Sequence, residues 1–157
     1  MHDATAIGHL CHSTPLSDID FENGGYDAIF MAGGHGTVSD FINCPSLKKA
    51  IETMYAANKV VASVCHGPIC LTDCVKADGK PLVEGMAVTG FSNTEEEAVQ
   101  LTSVVPFLLE TKFKELGAKY ERGDDWSSKV CVDGNLITGQ NPQSTEECAA
   151  AVVKVLK

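Results

Sequence analysis

The run Val60-Val-Ala-Ser-Val64, broken off at once by Cys65-His66-Gly67-Pro68, limits the fold more than any other part of the chain. Five uncharged residues, three of them valine, read as a strand buried on both faces, as in parallel sheets. Proline lacks an N–H and glycine permits a sharp turn, so the strand cannot continue past them. A second apolar run, Tyr26 to Met31, ends in the same way at Ala32-Gly33-Gly34-His35-Gly36-Thr37. Between the two lies Pro45–Lys59, with Leu47, Ala50, Ile51, Met54 and Tyr55 at helical spacing and Ser46 as the expected N-cap. Strand, helix, strand in this order predicts a parallel pair joined by a helical crossover, hence an α/β sandwich with helices on both faces of a mostly parallel sheet.

The remainder continues the alternation. Met86–Phe91 is predicted as a strand, and Asn93 onward as a helix with Glu95, Glu96 and Glu97 near its start, where the dipole favours acid. Pro106–Gly117 has proline near the start and glycine at the end of a helical pattern. Lys129–Gly139 is expected to be a hairpin turning at Asp133-Gly134. Ser144–Leu156 is the closing helix, with Ser144 and Glu147 spaced as a capping box. There is no internal repeat, and 157 residues predict one domain, 1–157, large enough to bury a core without disulfides or metals.

A net charge of -9 and a pI of about 4.9 argue against nucleic acid and anionic membrane surfaces as partners. The first twenty residues have neither the basic start nor the apolar stretch of a signal peptide. Seven cysteines (Cys11, Cys44, Cys65, Cys70, Cys74, Cys131 and Cys148) form no CxxC pair, which suits free thiols in a reducing cytoplasm. His9-Leu10-Cys11-His12 has no second ligand cluster at zinc spacing, so it reads as a polar loop, and no metal or cofactor is expected.

Chemistry is expected at Cys65. A thiol at the carboxyl end of a buried strand, just before a helix, stands at a nucleophile elbow, where unpaired N–H groups would stabilise its thiolate. Cys44, Cys70, Cys74, Cys131 and Cys148 lack that setting and read as packing residues. Of the five histidines (His2, His9, His12, His35 and His66) none follows His66, so either His66 is the base or the site is not a triad with a distant histidine. The Gly34 and His66 backbone N–H groups are candidates for an oxyanion hole. Glu95, Glu96 and Glu97 are carboxylates that could orient His66, although composition alone makes them a solvated helix start.

Taken together, "DAIFMAGGHGT", "VVASVCHGP", "PLVEGMAVTGFSNTEEE", "VVPFLLETKFKELGAKY" and "LITGQNP" resemble the ThiJ/PfpI superfamily, in its glyoxalase III and heat-shock chaperone branch. The resemblance runs from about Pro15 to the C-terminus. It implies a flavodoxin-like sandwich that commonly dimerises. It implies a nucleophilic Cys65, a catalytic His66 and a carboxylate at Glu96, with Glu95 the alternative one register away. The implied activity is glutathione-independent conversion of methylglyoxal, a small 2-oxoaldehyde, to D-lactate without a cofactor. A stress chaperone or a redox sensor with an oxidisable Cys65 is the alternative, and a cysteine peptidase or amidase a further one. Relative to the family pattern, the chain is expected to lack an N-terminal strand–helix–strand unit and a glutamate beside the thiol. The runs at Tyr26 and Val60 would then expose strand edges, inviting a homodimer or association with that missing portion.

Overall fold

The computed structural model describes residues 3–157; Met1 and His2, one of the five histidines, lie outside the described residues. A four-stranded sheet has the order β1 (Ala28–Met31), β2 (Val60–Val64), β6 (Leu136–Gly139), β5 (Val130–Asp133). β1, β2 and β6 run parallel, while β5 and β6 are the expected hairpin, with Val132 opposite Ile137 and Gly134 in the turn at φ +60°. A separate parallel pair is formed by β3 (Ala87–Val88) and β4 (Lys119–Tyr120).

Period-two alternation along β2 builds the two faces. Val61 points into a large core with Met31, Leu47, Ile51, Met54 and Leu136, beneath α3 (Pro45–Ala56), which follows the short α2 (Thr37–Asp40). Val60 and Ala62 point the other way, against Ile137, Cys148 and Val152, beneath α6 (Thr145–Val155). This is the mostly parallel α/β sandwich that the alternating strands and helices predict. All five residues of β2 are buried. β2 is also paired on both sides, so it exposes no edge, contrary to expectation. β1 does lie at the sheet's edge, and its Phe30 is 39% exposed.

Several local expectations fail for identifiable reasons. The helix cap at α3 is Cys44, with Pro45 in the first turn; the Ser46 hydroxyl meets the Cys44 thiol at 3.5 Å instead. The capping box before α6 is not Ser144 with Glu147. Ser144 is engaged by Asn141 in its own box, and Glu147 accepts from Ser128 at 2.5 Å. His9-Leu10-Cys11 belongs to α1 (Ala4–Cys11), capped by the Asp3 carboxylate, rather than to a loop. The strand expected over Met86–Phe91 shrinks to two residues, because Ala87 N–H donates to the Asp133 carboxylate and Thr89 N–H to the Thr138 hydroxyl. Both bonds tie this segment to the hairpin by side chains. The Pro106 helix begins only at Leu109, as α5 (Leu109–Glu115), and Gly117 (φ +78°) follows its end as expected. Among the described residues, no helix is long and apolar enough to cross a membrane.

Candidate active site

The carboxyl ends of β1 and β2 open on one side of the sheet. There β2 passes into Cys65, which adopts φ +62°, a strained conformation for a residue with a side chain. The strain is held from both sides: Cys65 N–H donates to Gly139 C=O at 2.9 Å, and Phe91 N–H donates to Cys65 C=O at 3.0 Å. Glycine is required around this turn. A Cβ at Gly33 would sit 2.7 Å from Cys65 Cβ, and one at Gly67 would sit 2.5 Å from Met31 C=O. After the elbow, Gly67–Asp73 winds as a 3₁₀ helix rather than an α-helix.

The turn places Cys65 Sγ 3.5 Å from His66 Nδ1. The other ring nitrogen, Nε2, donates to Glu96 Oε2 at 2.6 Å. With Nε2 as donor, Nδ1 carries the lone pair that faces the thiol. His66 is 1% exposed and Glu96 3%. Glu96 lies on the first turn of α4 (Asn93–Ala98), whose N-cap Ser92 receives the Glu95 N–H. One helical position therefore separates two different tasks. Glu95 turns away from His66 and accepts from Ser92, Trp126, Gln140 and Asn141, wholly buried. Glu97 is exposed. The acidic run is not a solvated helix start, since two of its three carboxylates are buried.

His35 is the residue that sequence reasoning passed over. Its Nε2 donates to Glu96 Oε1 at 2.9 Å, so one carboxylate serves two imidazoles. The two rings lie 4.0 Å apart, with Phe91 4.3 Å from the His66 ring. The only signal was its place in the glycine turn after β1, since 61 residues separate it from Glu96. Ligand atoms of His35, His66 and Glu96 lie within 4.8 Å of one another, so these three could hold a cation. It would have to replace both histidine–carboxylate hydrogen bonds.

Above the thiol lies a cavity of about 420 Å³, walled by Phe30, Val64, Phe91, Trp126 and the Gly33-Gly34 turn. Cys65 and His35 are the titratable residues lining it. Burial pushes the Cys65 thiol up to about 11, against the pull of the His66 and Gly34 backbone N–H groups, which favour the thiolate. The expectation that unpaired N–H groups hold Cys65 as a thiolate is therefore corrected. Burial likewise holds His66 below the usual histidine range, against the opposing pull of Glu96. The resting pair is a neutral thiol beside a neutral imidazole. Cys131 and Cys148 are also raised to about 11 by burial. Acidity thus does not set Cys65 apart; its strained turn and its partner do.

The DJ-1/PfpI family model matches residues 6–155. The chain belongs to the DJ-1/PfpI family. It is 36% identical over 140 residues to the glutathione-independent glyoxalase HSP31 of Saccharomyces cerevisiae, covering 84% of this chain and 58% of that protein. The crystal structure of glyoxalase III from Candida albicans superposes with a TM-score of 0.82 at 32% identity, covering 89% of this chain and 60% of that one. A Francisella tularensis protein, Rapid Encystment Protein 24 kDa, matches with a TM-score of 0.91 at 41% identity over 99% of this chain and 68% of its own. These relatives support the glyoxalase III branch that the motifs resemble. The chain spans about six-tenths of the length of the curated relatives it matches, 58% for HSP31.

The burial of Cys65 has a measurable consequence. Oxidation and alkylation follow thiolate character and access. Cys11 is exposed, and Cys44 is half-buried with its thiol lowered by the Ser46 hydroxyl. Mild peroxide or iodoacetamide at pH 7.5, taken as roughly neutral working pH, should modify these two before Cys65. Peptide mass spectrometry showing Cys65 modified first would contradict a neutral, shielded thiol.

Proposed function

We propose that this chain carries the site of a glutathione-independent glyoxalase that converts methylglyoxal, or a similarly small 2-oxoaldehyde, to the 2-hydroxy acid. The observation that carries the reading is the chain of contacts from Cys65 Sγ to His66 Nδ1 and from His66 Nε2 to Glu96, at the base of a small apolar cavity. The names of the curated relatives support the same class.

Because the resting thiol is neutral, His66 Nδ1 takes the proton from Sγ as sulfur adds to the aldehyde carbon, C1. The N–H groups of Gly34 and His66, already directed at the thiol, receive the developing oxyanion. The proton passes to that oxygen and leaves a hemithioacetal. His66 then removes the C1 hydrogen, giving an enediolate, and returns it to C2, giving the thioester. Water releases the hydroxy acid and restores the thiol. Glu96 holds the Nε2–H tautomer that keeps Nδ1 basic, and it offsets the charge when His66 is protonated.

A buried, raised thiol does not favour redox sensing, which needs an accessible thiolate. The seven free cysteines suit a reducing cytoplasm. The deciding experiment is a D-lactate assay with methylglyoxal and no added thiol. His66→Ala should lower the rate by about 10²–10⁴-fold, the range of a lost general base. No lactate from the parent chain, or an equal rate from the variant, would refute the reading.

A further inference from the structure

We propose that His35 is a second catalytic base in this site, carrying the hydroxyl proton of the enediol while His66 carries the carbon proton. The inference rests on the glyoxalase reading above. Turning an aldehyde and a ketone into a thioester and an alcohol moves two hydrogens. One goes from C1 to C2. The other goes from the C1 oxygen to the C2 oxygen.

His66 is suited to the first transfer only. Its Nδ1 faces Sγ and its Nε2 is held by Glu96, so the ring has one free position, on the side of the carbon that would bond to sulfur. When His66 holds the C1 proton it has no lone pair left for an oxygen proton. A second base must serve the oxygens, and His35 is placed for it. Its Nε2 donates to Glu96 Oε1, which leaves Nδ1 with the lone pair, and among the described residues Nδ1 has no hydrogen-bond partner. Its ring lies 4.0 Å from that of His66 and lines the cavity that holds Cys65.

The His35 side chain is 38% exposed and that of His66 2%, so the two imidazoles sit at the mouth and the floor of one site. The charged and titratable groups that meet His35 are Glu96 and His66; Phe91 presents an edge at 5.8 Å.

The step balances without an added reagent. His66 takes the C1 proton, the C–H pair becomes the C1–C2 double bond, and the C2 oxygen takes the negative charge. His35 Nδ1 takes the proton from the C1 hydroxyl and gives it to the C2 oxygen. The C1–O bond becomes the thioester carbonyl as C2 recovers the proton from His66. Each histidine gives up the proton it took, so the step needs no outside acid or base.

The test measures D-lactate formation from methylglyoxal by the parent chain, His35→Gln and His35→Ala, each first shown by melting curve to be folded. Glutamine keeps an N–H donor near Glu96 but moves no proton; alanine leaves a space that a small base can enter. Both variants are expected to lose about 10²-fold in kcat, with KM changed by less than about threefold. His35→Ala should regain rate in proportion to added imidazole, and His35→Gln should not. A His35→Gln variant with more than about a fifth of the parent rate overturns the inference and leaves the glyoxalase reading standing. So does a His35→Ala variant that stays slow at every imidazole concentration, which would make His35 a positioning residue. A parent chain that forms no lactate removes the reading itself, and this inference with it.

Discussion

Cys65→Ser is expected to reduce D-lactate formation by at least about 10³-fold while leaving the melting temperature close to that of the parent chain. Serine fills nearly the same space, so the strained turn at φ +62° and its two backbone hydrogen bonds, to Gly139 and from Phe91, remain. The chemistry changes because a hydroxyl is a far weaker acid than a thiol, and His66 is already asked to remove a proton from a thiol raised to about 11. A neutral imidazole takes the proton from a hydroxyl far less readily than from a thiol. Lactate production by the serine variant within tenfold of the parent would show that sulfur does not bond to the substrate.

The second large effect falls on stability. Glu95 and Glu96 are adjacent and both buried, yet their removal should act on different measurements. Glu95 accepts from Ser92 N–H at 3.1 Å, Ser92 Oγ at 2.9 Å, Trp126 N–H at 2.9 Å, Gln140 Nε2 at 3.2 Å and Asn141 Nδ2 at 2.8 Å. These bonds fasten the start of α4 to the loop after β4 and to the turn after β6. Glu95→Ala takes the acceptor from the Ser92 and Trp126 N–H groups and from Gln140 Nε2, while Asn141 Nδ2 keeps Ser127 C=O and Ser92 Oγ keeps Thr94 and Asp125. Each hydrogen bond to a charged group is worth about 1.5–3 kcal/mol and the strands relax in part, so a loss of about 3 kcal/mol or more is expected. For a chain of this size that lowers the melting temperature by about 10 °C. Glu96→Gln removes the charge between two imidazoles and turns one of the two acceptor oxygens into an NH2 donor. It should cost about tenfold or more in rate with little change in melting. Differential scanning calorimetry and the lactate assay on both variants separate the roles. If Glu95→Ala melts like the parent, or if Glu95→Gln slows catalysis more than Glu96→Gln does, the assignment of the two carboxylates is reversed.

How far the chain could be read follows from the range of the forces involved. Buried strands announce themselves by unbroken apolar residues, as in Val60–Val64, and a hairpin by Asp133-Gly134, because burial and turn geometry act on neighbouring residues. Cap assignments failed where another residue already held the side chain or the cap position. Ser144 was taken by Asn141, and Ser46 sits behind a proline that already starts the helix. The strand expected at Met86–Phe91 shortened because its N–H groups found side chains of the hairpin, which no local pattern records.

At the site the same division holds. The order of residues determined that a thiol, an imidazole and a glycine meet at a strand end, since Cys65, His66 and Gly67 are consecutive and the elbow is a local turn. It also brought acidic residues to the start of one helix. Only the tertiary structure decided which carboxylate faces the imidazole. Consecutive helical residues point about 100° apart, and the packing of α4 against the β6 turn determines which points inward. It alone brought His35 to Glu96 across 61 residues. Protonation, too, was decided there. A helix start favours the thiolate from a few ångströms away. Folding then surrounds the sulfur with Val64, Phe91 and the glycine turn, and the lost water outweighs those N–H groups.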